Sequence, residues 1–298
     1  MDVTTPPAAV GEGLAAAEPR RFALPNGVEL HGVIGGEGPP LVFIHGAMGD
    51  WRSFEPQWAA FTPHFTCLTY SRRYSFPNRN GPPGPDHSAL HEAEDLRLLL
   101  DALGWSSAVL VGSSYGGFTA LALAVAEPAR VRALVAVEPP MMKYAALSAA
   151  GRAAAADFCT RVIEPANAAF RAGRDEEGAR LMTGGINGAA SPLNDGEALA
   201  RRLQNLGAMK ALALSSDEFP WLAPEQLAAL SMPLLLLSGA RTPAVHAEIF
   251  RNVCAAMPQA KALVMPDAGH GVARDAAAAF NTTVLDFLRA HSTREETP

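Results

Sequence analysis

No apolar run in this chain of 298 residues approaches bilayer-crossing length, although 49% of its residues are apolar. That excludes a membrane-spanning helix and leaves enough material for a sizeable core. Charge of one sign is also scarce. The net charge is −6, with acidic and basic residues interspersed, which argues against a nucleic-acid surface and implies no membrane partner. Cysteines number three, and Cys67, Cys159 and Cys254 lie far apart without metal spacing. A disulfide framework is therefore not expected. Cys67 and Cys159 stand in apolar contexts and read as buried free thiols, which places the chain in a reducing compartment, the cytoplasm. Aromatic residues make up only 7%, which points to a modest aliphatic or mixed pocket. Neither a Walker loop, a G-x-G-x-x-G fingerprint nor a metal-ligand spacing is present, so neither cofactor nor metal is expected. Residues 1–18 are rich in Ala, Pro and Gly, carry Asp2, Glu12 and Glu18, and lack the basic start of a secretory signal. Flexible tails are expected over 1–18 and 292–298.

What is present alternates. Arg21 to Leu24, the Asn26-Gly27 turn and Val28 to Ile34 read as a β-hairpin. Leu41 to Ile44, Phe65 to Tyr70, Val109 to Val111, Val131 to Val137, Pro233 to Leu237 and Lys261 to Met265 are short apolar runs of buried-strand type. Helical patterns separate them: His91 to Leu103, Phe118 to Ala126, Pro243 to Met257, and Val272 to Ala290 as one final helix. The pattern predicts an α/β fold with a mostly parallel sheet covered by helices on both faces. Between 139 and 222 the strand signal vanishes. That stretch reads as helical, broken by Gly184-Gly185, Gly188, Pro192 and Gly196, and its position predicts a cap above the carboxyl edge of the sheet. The expected organisation is a core of 19–138 and 223–291 with a cap of 139–222.

The most specific segment is Val109-Leu110-Val111-Gly112-Ser113-Ser114-Tyr115-Gly116-Gly117. A strand runs into G-x-S-x-G and then into an apolar, Ala-rich helix. A serine at the apex of such a turn is held in strained geometry that pushes its Oγ clear of the sheet, so Ser114 reads as a nucleophile. A nucleophilic serine needs a base, an orienting acid and oxyanion donors. Among eight histidines, His270 alone lies in a glycine-flanked loop between the last strand and the last helix. His31 is on the hairpin, His64 and His87 are in loops, His91 and His246 are on helices, His291 is in the tail, and His45 reads as a structural hydrogen-bonder. The backbone N–H groups of Tyr115, after the nucleophile, and of Ala47, in Ile44-His45-Gly46-Ala47-Met48-Gly49, are the natural oxyanion donors.

With His45-Gly46, the Gly112 to Gly117 turn and Gly269-His270-Gly271 in this order, the chain from Arg21 to His291 resembles the α/β-hydrolase family. Two departures carry information. The family usually places its acid as Asp after the strand represented by Leu234 to Leu237, where this chain has Thr242, which cannot carry the charge. Some lactonases and dehalogenases of the family take the acid from the end of the preceding strand. Here Glu138 follows Val131 to Val137 directly and is fixed by Pro139 and Pro140. A carboxylate buried there is costly without a partner, and His270 would be that partner, so Glu138 is assigned as the acid over Asp267 and Asp217. The loop Thr69 to Pro77 also departs. Arg72 matches the family's structural arginine, Arg73 and Ser75 replace glycines, and Arg73, Tyr74 and Phe76 are either pocket-lining or part of a rearranged surface loop.

The resemblance implies a serine hydrolase acting on a small-molecule carboxylic ester or lactone. Ser114, His270 and Glu138 would be its triad, with Ala47 and Tyr115 as its oxyanion hole. A carbon–carbon bond hydrolase on the same triad, and a non-hydrolytic ligand-binding or cyclase-type descendant, stay open as alternatives, and so does a homodimer.

Overall fold

Turn chemistry starts the sheet. Gly27 takes φ +80 and closes the hairpin of β1 (Arg20–Ala23) and β2 (Glu29–Gly35), which pair antiparallel. The computed structural model describes residues 13–14, 17–82, 84–188 and 191–292. Of the two expected tails, 1–12, 15–16 and 293–298 lie outside the described residues, while Leu14 is buried in the core.

Six further strands follow: β3 (Pro40–Ile44), β4 (Thr66–Tyr70), β5 (Ala108–Ser113), β6 (Val131–Val137), β7 (Leu234–Gly239) and β8 (Lys261–Met265). The sheet order is β1-β2-β4-β3-β5-β6-β7-β8, and β3 to β8 are parallel. This is the α/β-hydrolase architecture, with β5 near the middle. Twelve α-helices lie among the described residues. They are α1 (Glu55–Phe61), α2 (Ala89–Ala102), α3 (Tyr115–Ala126), α4 (Ala149–Phe158), α5 (Glu164–Arg171), α6 (Asp175–Asn187), α7 (Gly196–Gln204), α8 (Leu206–Leu214), α9 (Pro224–Ala228), α10 (Ala244–Ala256), α11 (Val272–Asp275) and α12 (Ala277–Ser292).

Strand period two divides the core. Along β5, Ala108 and Leu110 face a cluster with Leu96, Phe118 and Ile249 of α2, α3 and α10. Val109 and Val111 face the opposite cluster with Trp58 of α1 and Phe280 and Val284 of α12. Both faces are buried, which is why these strands read as continuous apolar runs.

Three sequence expectations need correction. The final helix is two helices, interrupted at Ala276 (φ −127, ψ 46). The break lets α11 fold back on the loop before it, where Asp275 Oδ2 accepts from Gly269 N–H at 3.0 Å. Gly184 and Gly185 do not break a helix; both lie inside α6. A Cβ on Gly185 would collide with the Val162 side chain, so this glycine serves close helix approach. Cys159 is exposed, because its helix presents that face to solvent, whereas Cys67 is buried. The structure also adds a 3-10 turn (Trp51–Phe54) and α1, which are not among the elements read from the sequence. No helix among the described residues is long and apolar enough to cross a membrane.

Candidate active site

The turn between β5 and α3 has the geometry its glycines allow. Ser114 takes φ +52 and ψ −118, one of two non-glycine residues with positive φ among the described residues. A Cβ on Gly112 would run into the Gly116 carbonyl, and one on Gly116 into the carbonyl of Ile44. Only glycine fits either position. The turn is further held by Ser114 N–H, which donates to Val137 O at 2.7 Å across to β6.

The other positive-φ residue is Glu138, at φ +42. Ser113 and Val137 are register partners, so Ser114 and Glu138 leave neighbouring strands at the same level. His270, on the loop between β8 and α11, bridges them. Its Nδ1 lies 2.6 Å from Glu138 Oε2 and its Nε2 3.0 Å from Ser114 Oγ. A carboxylate can only accept, so Nδ1 carries the proton and Nε2 is left to accept from the serine hydroxyl. Asp217, an alternative acid by sequence, is instead paired with Lys143 at 2.7 Å.

Glu138 is 2% exposed, and every contact made to it is a donor. Oε1 accepts from Ser238 Oγ (2.6 Å) and Gly239 N–H (2.8 Å); Oε2 accepts from Thr242 Oγ1 (2.7 Å) as well as from His270. Burial pushes the carboxyl upward, but the hydrogen bond and charge of His270, with the hydrogen bonds from Ser238 and Gly239, outweigh it and hold Glu138 at about 2. Thr242, at the position where the family usually has its acid, thus donates to the acid that stands in for it. Thr242→Val is expected to lower kcat three- to tenfold with KM unchanged, because the carboxylate loses the donor that fixes Oε2 toward His270. It should cost about 1 kcal/mol of stability, measured by urea unfolding. An unchanged kcat would show that the hydroxyl does no positioning.

Sequence reasoning set His246 aside as a helix histidine. The structure stacks it on His270, with ring centroids 4.2 Å apart at 28°, and leaves its Nε2 buried without a hydrogen-bond partner. Burial, then the neighbouring His270, lowers its pKa to about 3, so it packs as a neutral ring. Its i, i+3 and i+4 spacing to the buried Ile249 and Phe250 marked the inward face of α10, and that was the available signal.

The loop after β3 lies against the elbow. A Cβ on Gly46 would sit 3.4 Å from Ser114 Cβ, and Ala47 lines both cavities that contain Ser114. Tyr115 is the first residue of α3, where amides have no intrahelical acceptor. His45 is structural. Its Nε2 accepts from Arg72 N–H (3.0 Å), its Nδ1 faces Gly46 O (2.7 Å), and burial followed by the Arg72 charge lowers its pKa to about 4. Arg72 itself is buried, paired with Glu92 at 2.5 Å and lying 3.7 Å over the Tyr115 ring. Arg73 is paired with Asp95 at 2.7 Å, and neither it, Tyr74 nor Phe76 lines a cavity that contains Ser114.

Two cavities meet at Ser114. One, of 290 Å³, is walled by Phe158, Ile163, Met182, Ile186, Leu212 and Phe219, with His246 and Glu218 in its lining. Burial raises the Glu218 carboxyl to about 7, even though Tyr115 Oη donates to it. The other, of 440 Å³, is lined by His270, the Gly46 to Gly49 loop and four arginines. A larger groove of 840 Å³ between α4, α6 and α10 touches none of Ser114, His270 and Glu138. Among the described residues no three His, Cys, Asp or Glu side chains are grouped to hold a metal.

The chain belongs to the alpha/beta hydrolase fold family, whose pattern matches residues 39–275. Similar proteins include the sn-1-specific diacylglycerol lipase ABHD11 of Mus musculus, 28% identical over 92% of this chain and 95% of its own length. The 2-(acetamidomethylene)succinate hydrolase of Mesorhizobium japonicum is 26% identical over 80% and 83%. In fold, the chain is similar to the carboxylesterase CesB of Bacillus subtilis, with a TM-score of 0.70, 20% identity and 92% of each chain covered. Hydrolase chemistry is common to these relatives.

Proposed function

We propose that this chain is a serine hydrolase that cleaves a carboxylic ester or lactone through an acyl-enzyme on Ser114, without a cofactor. The observation that carries this reading is the continuous relay from Ser114 Oγ through His270 to Glu138, at 3.0 and 2.6 Å. His270 Nε2 takes the serine proton as Oγ attacks the carbonyl carbon. Glu138 holds the Nδ1–H tautomer and stabilises the imidazolium that forms. The N–H groups of Ala47 and Tyr115 receive the oxyanion, and His270 returns the proton to the leaving oxygen. Water then attacks the acyl-enzyme with His270 as base, releasing the acid and freeing Ser114.

The two cavities divide the substrate. The leaving oxygen must lie where His270 can protonate it, and His270 lines only the 440 Å³ cleft, so the leaving group belongs there. The acyl group then occupies the 290 Å³ apolar cavity, small for a ligand pocket, which favours a short or cyclic acyl group. Phe158, Met182, Ile186 and Leu212 of the 139–222 segment wall that cavity, so the segment serves as its cap. A fluorophosphonate probe followed by peptide mapping, beside turnover of p-nitrophenyl esters of graded chain length and a set of lactones, tests the reading. Label on Ser114 with product release is expected. Label on another serine, or binding of every ester and lactone without product, would overturn it.

A further inference from the structure

The cleft on the His270 side is rich in guanidinium groups, and they are not equally paid off in charge. Arg52 is held by Asp50 at 2.6 Å, and Arg274 by Asp275 at 2.8 Å. Arg201 and Arg202, adjacent on α7, have no carboxylate within 4 Å among the described residues. Glu55 also lines the cleft and makes no ion pair with any of the four. Arg202 is the more telling of the two. Its Nε is buried without a hydrogen-bond partner, and its Nη1 reaches Met48 O at 3.4 Å, one residue from Ala47. Burial, and then repulsion from Arg274, lowers its pKa to about 10. Arg274 in turn packs against Gly271, the residue after His270, where a Cβ would collide with its guanidinium.

Two guanidinium groups thus flank the reacting serine, one beside the oxyanion loop and one beside the base. A desolvated cation kept next to another cation is unfavourable in the empty protein, and an anion bound between them removes the penalty. The neighbouring cavity is mostly apolar, and the one Lys or Arg in its lining, Lys143, is already paired with Asp217 at 2.7 Å, so the asymmetry assigns the charge to one end of the substrate.

We propose that Arg202, with Arg201 and Arg274 beside it, binds an anionic group, carboxylate or phosphate, on the alcohol-derived part of the substrate. The proposal rests on the reading of Ser114 as an ester-cleaving nucleophile and names the class of ester it cleaves. The test uses three phenyl butyrates that differ only at the para position: carboxylate, phosphate monoester and neutral carboxamide. Each kcat/KM is divided by that ester's own hydroxide-catalysed rate. Wild type is expected to favour at least one anionic ester over the carboxamide by roughly ten- to hundredfold, the range of one charge-assisted hydrogen bond, and the better anion identifies the group. Arg202→Gln should remove that preference, bringing the anionic esters and the carboxamide within threefold of one another, and Arg202→Lys should retain part of it. A second measurement needs no variant: 4-hydroxybenzoate or 4-hydroxyphenyl phosphate should inhibit wild type at least tenfold more strongly than 4-hydroxybenzamide. Equal handling of charged and neutral esters by wild type, with equal inhibition by all three phenols, overturns the anion site. Absence of Ser114 labelling and of turnover on every ester overturns the esterase reading itself.

Discussion

Ser114→Ala is expected to lower kcat on a p-nitrophenyl ester by four to six orders of magnitude while leaving the fold intact. The size follows from the mechanism. Without Oγ no acyl-enzyme forms, and His270 and Glu138 have no proton to move, so all three residues fall silent together. Stability should change by less than about 1 kcal/mol, because alanine occupies the positive-φ position as serine does and the structure gives Oγ a hydrogen bond only to His270. Fluorophosphonate labelling should vanish in parallel. Initial rates, with a thermal melt on the same sample, decide the matter. Activity within tenfold of wild type, from a folded variant, would remove Ser114 from the reaction.

Glu138→Gln should cost about four orders of magnitude in kcat. The carboxylate receives four donors and gives none. An amide has one acceptor oxygen, so it can serve Ser238 and Gly239 or Thr242 and His270, but not both pairs. With its NH₂ toward His270 the imidazole adopts the wrong tautomer and no longer accepts from Ser114. The variant should also lose a pH-dependent part of its stability. Glu138 lies at about 2 in the folded protein against an ordinary 4.5, because the donors around it overcome the upward push of burial. A depressed carboxyl stabilises fully above its unfolded value and less as pH falls through the folded one. Wild type should therefore lose stability, of order 3 kcal/mol, between about pH 4.5 and 2, and Glu138→Gln should be flatter across that window. Thr242→Asp in the Glu138→Gln background should recover part of the lost kcat, since the two side chains meet 2.7 Å apart beside His270. Wild-type turnover by Glu138→Gln alone would remove Glu138 from the relay.

The parts of the site that were legible in the sequence are those whose backbone demands leave a mark. Gly112 and Gly116 are required by carbonyls that sit where a Cβ would go, so Ser114 announces itself. Glu138 could be found because a charge at the end of a seven-residue strand with six buried residues requires a partner, and the missing acid at Thr242 left His270 in need of one. The inner strands β3 to β7 were legible for the same reason, since burial on both faces demands nearly unbroken apolar runs. What escaped was set by tertiary contact. His246 looks like any polar residue on an amphipathic helix until α10 lays it against His270. Gly185 looked like a helix breaker because the sequence does not show that Val162 occupies the space beside it. The interruption at Ala276 has no proline or glycine, and only the bond from Gly269 N–H to Asp275 explains why the chain turns there. Cys159 was misjudged because an apolar neighbourhood in sequence does not say which way a helix faces.

The equal level of Ser114 and Glu138 on neighbouring strands has a consequence for how the protein fails. Both belong to the middle of the sheet, where Val111 and Val137 are fully buried and where amides are expected to open only with the whole domain. His270 hangs instead from β8, an edge strand whose residues are mostly exposed, and from the one-turn helix α11. Fraying of that border would withdraw the imidazole while the serine and the carboxylate stayed in place. Heating would then yield a compact but idle protein before it yields an unfolded one, with loss of turnover running ahead of loss of helix signal.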